Sequence, residues 1–186
     1  MKRILLTTAV IISCFIVNAQ EKSEVKALEF SSRSGALIKK EFYEIGELNK
    51  GDVKFDVLMF HDVIDGKSEG LLRVTTSRYT SIGEREFSGS LNYDELDGCI
   101  QSMQYIKNNI INTTPETYTE YIYRTVDGVK IGAYWSKGKN ESKWVVFIQS
   151  KTVSDDSMRT ISVSDIDIVV DLLKNSKSKM EQLLNI

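Results

Sequence analysis

An amphipathic helix closed by the only proline in the chain limits what this sequence can fold into. In the stretch Ser90–Pro115, Leu96, Cys99, Ile100, Met103, Ile106 and Ile110 recur at the spacing of one helical face. Asn92 is suited to cap the first turn, and Glu95 can reach back to its backbone N–H, as in a capping box. Asp94, Glu95 and Asp97 place negative charge at the positive end of the helix dipole. Pro115 cannot continue a helix and drives Thr114 towards an extended conformation. A lone apolar stripe of this kind must be buried, and the flanking sequence offers a sheet to bury it.

Upstream, strands are expected at Leu28–Phe30 (with Val25 and Ala27), Ala36–Ile45, Val53–Val63, Leu71–Tyr79 and Glu84–Leu91. The run Val57-Leu58-Met59-Phe60 is apolar at every position, as in a central strand covered on both faces. Downstream, Tyr118–Val126 and Val129–Trp135 flank Asp127-Gly128, a two-residue hairpin signal. Trp144–Ile148 and Arg159–Val163 follow as strands. Asp165–Leu184 then reads as a second amphipathic helix, with the polar patch Asn175–Lys179 expected to thin or bend it. The fold class is therefore α+β, built of antiparallel sheet and two amphipathic helices.

The two helices superpose at a shift of 70 residues: Asn92 falls on Ser162, Glu95 on Asp165, Leu96 on Ile166, Ile100 on Val170 and Met103 on Leu173. The strands upstream do not keep that shift. Strands followed by a helix, twice over, divide a single domain at 20–186 into halves 24–114 and 115–186. At the level of topology this resembles the duplicated four-strands-plus-helix arrangement of Whirly and Pur-type domains, although no motif carries the likeness and fold alone does not imply function.

Ahead of this domain, Lys2 and Arg3 precede the apolar run Ile4–Val17, and Val17-Asn18-Ala19 offers small residues for a signal peptidase. The segment reads as a secretory signal peptide cleaved after Ala19, with an exported (periplasmic or extracellular) mature protein. It is shorter than the roughly 18 residues of a membrane span, so no transmembrane segment is expected in the mature chain. The alternative is a lipoprotein anchored through Cys14, since Ile11-Ile12-Ser13-Cys14 resembles a lipobox, but Phe15-Ile16-Val17 prolongs the apolar run beyond it.

Losing Lys2 and Arg3 takes the formal charge from −2 to −4. A mildly acidic chain lacks the basic footprint that nucleic acid requires. Only Cys99 remains, so no internal disulfide is available despite the export. His61 is the only histidine, which excludes two-histidine metal sites, and nucleotide-binding and serine-hydrolase glycine motifs are absent. No cofactor is expected. What remains is an aromatic concentration, in which Tyr121, Tyr123, Tyr134 and Trp135 are the candidate ligand-binding residues, able to stack on a sugar or another flat group. The expected function is a non-catalytic binding or interaction domain for a protein or carbohydrate ligand. The alternative is a small hydrolase using Cys99 and His61.

Overall fold

The computed structural model describes residues 24–138 and 141–186; the leader and Cys14 lie outside them. The fold is α+β, with two antiparallel four-stranded meanders, each leading into a helix. The first sheet comprises β1 (Ile38–Leu48), β2 (Val53–Asp62), β3 (Ser68–Thr80) and β4 (Gly83–Asn92), in that order. Helix α2 (Leu96–Tyr105) follows. The second sheet comprises β5 (Glu120–Arg124), β6 (Lys130–Lys137), β7 (Ser142–Gln149) and β8 (Met158–Ile161), again in chain order, and helix α3 (Ile166–Leu184) closes the chain.

One expected strand is a helix. Residues Lys26–Ser31 form α1, where the N–H groups of Leu28 and Glu29 both reach the Val25 carbonyl. Tertiary contacts override the weak strand signal. Val25, Ala27 and Phe30 meet Leu58, Phe60 and Leu71 on one face of the first sheet, and the Lys26 N–H donates to Asn92 Oδ1 at 3.1 Å. A helix this short depends on such packing.

The opposite face of that sheet carries Val53, Phe55, Val57 and Met59, all fully buried. Strand β2 is thus covered on both sides, which explains why its middle is apolar throughout. What covers this second face is α3, which packs over β1, β2 and β3. Gly46 sits in a β-bulge at φ 155°, and a Cβ there would lie 2.7 Å from Leu172 on α3. Meanwhile α2 packs on β5 and β6 of the other sheet, with Gly98 so close to Tyr123 that a Cβ would lie 3.1 Å from its hydroxyl. Each helix therefore covers the sheet of the opposite half, and the two helices also pack on each other.

The capping box at Asn92 and Glu95 forms, with the Asn92 N–H donating to Glu95 Oε2 at 2.8 Å. A 3₁₀ turn, Tyr93–Glu95, precedes α2, and a matching one, Val163–Asp165, precedes α3. Beyond Tyr105, α2 continues as a π-helix at Ile106–Ile110. In α3 the patch Asn175–Lys179 causes no break. Ser176 is buried and donates to the Leu172 carbonyl at 2.7 Å, so a polar residue there costs no unpaired group. No described helix is long and apolar enough to cross a membrane.

The sheets join along a polar seam. Thr76 Oγ1 lies 2.6 Å from Ser150 Oγ and 2.8 Å from the Ser157 carbonyl. Asp127 Oδ2 accepts from both the N–H and the hydroxyl of Ser90, at 2.9 and 2.8 Å. At Gly89 a Cβ would lie 2.2 Å from the Ser150 carbonyl oxygen, so only glycine permits this approach.

Candidate binding cleft

A cleft of about 880 Å³ opens between the end of the α2 region and the start of α3. The α2 region ends at Ile110, and the exit segment 111–114, ahead of Pro115, forms one wall. The other wall comes from β7, from Thr160 and Ile161 of β8, and from Ser162, the cap residue leading to α3. Asn112, Thr113, Thr114, Ser142, Thr160 and Ser162 supply hydroxyl and amide groups, and Lys143 adds a cation. Trp135 and Trp144 lie beneath, 6% and 5% exposed, with ring centroids 5.5 Å apart and planes at 61°. The Trp144 indole N–H donates to the Thr113 carbonyl at 2.8 Å, fixing the exit segment to the sheet. Both tryptophans are therefore floor and support, while Tyr134, half-buried at the margin, offers part of its ring.

The four aromatic residues singled out from the sequence are split between two faces. Tyr121, Tyr123 and Trp135 lie on the helix-covered face of the second sheet, and Tyr134 lies on the other. Tyr121 tilts against Trp144 at 5.8 Å. Tyr123 is engaged structurally: its hydroxyl donates to the Glu95 carbonyl at 2.8 Å, and burial pushes its phenol up to about 12. It and Tyr121 instead line a second groove, about 490 Å³, against Gly98, Gln101 and Tyr105 of the helix. The rings that do come together on the side of Tyr134 are Tyr118, Tyr134 and Phe147, with centroid spacings of 6.4 and 5.9 Å, Phe147 itself being buried. The strand alternation around Tyr134 placed it on that face. Tyr118, expected at the start of a strand, instead precedes β5 and joins these rings from outside the sheet.

Cys99 and His61 are not brought together. Cys99 lies fully buried on α2, where burial raises its thiol far above the ordinary range. His61 stands near the end of β2 on the first sheet, with Nδ1 2.7 Å from Ser68 Oγ and Nε2 2.9 Å from Glu41 Oε2. The Glu41 oxygen lies close to Nε2 but out of line for a directed hydrogen bond. Glu41 itself is held below its ordinary value chiefly by its hydrogen bond from Lys39. These are directly paired cross-strand neighbours, His61 with Lys39 and with Ser68. Neither His61, Ser68 nor Cys99 lines the two clefts above. Among the described residues no group of three or more His, Cys, Asp and Glu side chains is placed to hold a metal.

The burial of Cys99 has a direct consequence. The folded protein is expected to resist iodoacetamide at neutral pH and to be labelled only in denaturant, because the thiolate is the reactive form. Rapid stoichiometric labelling of the native protein contradicts that burial.

Comparison with known proteins returns no matching family model, curated protein or solved structure.

Proposed function

We propose that this is an exported, non-catalytic binding domain that holds a hydroxyl-bearing ligand, of the carbohydrate class, in the cleft between the α2 exit segment and the β7–β8 wall. The observation that carries the reading is the composition of that cleft. Six hydroxyl or amide side chains line a space of about 880 Å³ beside the ring of Tyr134. Concave sites with a few convergent polar groups over an apolar floor are the usual form of small-ligand sites, and an aromatic face beside hydroxyl partners suits a sugar ring. The test is a titration of the purified protein with a panel of soluble oligosaccharides, followed by calorimetry. Tyr134→Ala is expected to weaken a positive interaction by about tenfold or more, roughly 1.4 kcal/mol. Binding that is indifferent to Tyr134→Ala and to Thr160→Val places the ligand elsewhere.

Export rests on the leader: two basic residues, an apolar run and a small-residue cleavage site. Secreted from a bacterial host with its own leader, the chain is expected to begin at Gln20. Intact-mass measurement decides this, and a lipid-modified N-terminus at Cys14 contradicts it in favour of the anchored form.

A further inference from the structure

We propose that two copies of this chain associate through the outer edge of β5, pairing Glu120–Arg124 antiparallel with itself. Strand β5 is terminal in its sheet and pairs on one side only, with β6. The direction of its free backbone groups follows from its two flanks. Trp135 donates its N–H to the Thr119 carbonyl at 2.8 Å, and Thr125 donates to the Val129 carbonyl at 2.9 Å. Backbone groups alternate along an antiparallel strand, so the odd-numbered residues face β6 and residues 120, 122 and 124 face outward. The next outward N–H, that of Val126, is taken by Glu95 Oε1 at 2.7 Å. The available edge is therefore a bounded one, from Glu120 to Arg124.

The sequence of that edge, Glu-Tyr-Ile-Tyr-Arg, is complementary to itself. Antiparallel pairing centred on Ile122 exchanges hydrogen bonds between the two Ile122 residues and sets Glu120 opposite Arg124 of the second copy, twice over. On the other face Tyr121 meets Tyr123 of the second copy. Opposite charges and aromatic pairs at facing positions are those that stabilise adjacent strands. Shifting the register by two residues instead sets Glu120 or Arg124 against Ile122. The exposure is already in place: Tyr121, Ile122, Tyr105 and Tyr118 are 38%, 41%, 58% and 62% exposed. Among the described residues no carboxylate lies within ion-pair distance of Arg124. An edge strand ordinarily carries charges or prolines that repel pairing, whereas this one carries a matched pair. Five residues bury less than the standard interface area, so the dimer is expected to dissociate on dilution through the micromolar range.

Sedimentation velocity over a dilution series, on the protein as recovered from a secreting host, tests the proposal. The wild type is expected to shift from monomer to dimer with concentration. Glu120→Arg, which opposes Arg124 of the second copy with a like charge, is expected to weaken the dimer at least about tenfold. The double variant Glu120→Arg/Arg124→Glu is expected to restore it. Ile122→Pro removes the central N–H on the free edge and is expected to abolish pairing, with a melting curve confirming that the fold persists. Should the proline variant unfold, the charge exchange decides alone, since both residues are exposed. A wild type that stays monomeric overturns the proposal and leaves the edge to a strand from another protein. A dimer that survives Glu120→Arg, or one that the double variant does not restore, overturns it as well.

Discussion

Replacing Met103 by Asp is expected to destabilise the protein by about 4 kcal/mol or more, because it forces a carboxylate into the core. Met103 is fully buried on α2, among the residues that join both sheets and both helices. In that apolar cluster the new charge stays unpaired or takes up a proton, and either outcome is costly. For a chain of this length such a loss lowers the melting temperature by roughly 10 °C or more. Tyr105→Asp serves as the control: it lies two positions along the same helix but is 58% exposed, and a change below about 1 kcal/mol is expected there. Thermal melts of both variants check the pair. Equal effects of the two substitutions contradict the assigned face of the helix.

That face could be read from the sequence because every signal for it agrees. The cap, the acidic first turn, the apolar spacing and the terminating proline all place one helix at one position. The strands were legible for the same reason, including β2 with its two covered faces. Helix α1 was not, since six residues carry no periodicity strong enough to outweigh strand-like Val25 and Phe30. Only the position of Leu58, Phe60 and Leu71 decides it. Nor does local sequence reveal that Glu95, the expected capping residue, has a second partner. Its other oxygen holds the Val126 N–H and so ties α2 to the hairpin after β5.

The site was only partly legible. Aromatic residues were evident as a group, but alternation along β6 separates Tyr134 from Trp135, and the cleft draws its hydroxyl, amide and lysine groups from three separate stretches. Threonines and serines of this kind are unremarkable in sequence, and only the fold collects them. The pairing of His61 with Ser68 and Glu41 was missed because cross-strand register, rather than neighbouring sequence, creates it.

The largest expected effect follows from the crossing of the helices. Each half places its helix on the sheet of the other, with α2 on β5 and β6 and α3 on β1 to β3. A half expressed alone therefore keeps its own sheet but loses the cover of that sheet's buried face. For the first half this exposes Phe55, Val57, Met59, Leu72 and Val74, all at most 1% exposed in the whole chain. For the second it exposes Ile131, Ala133, Val146 and Ile148, all likewise buried. At about 25 cal/mol per Å² of apolar surface, losing one side of a core exceeds the few kcal/mol by which a domain is stable. The two sheets also lose the seam in which Gly89 meets Ser150 and Asp127 meets Ser90. The matching 3₁₀ turns at Tyr93–Glu95 and Val163–Asp165 suggest two related units, yet the crossing makes each dependent on the other.

The most direct test is to express residues 24–114 and 115–186 separately and to record circular dichroism and thermal melts of each alone and of the equimolar mixture. The interlocked arrangement predicts that neither half melts cooperatively by itself, and that mixing restores a cooperative transition together with the protection of Cys99 from iodoacetamide. A cooperative melt from either half alone, with Cys99 already protected in the first, contradicts it.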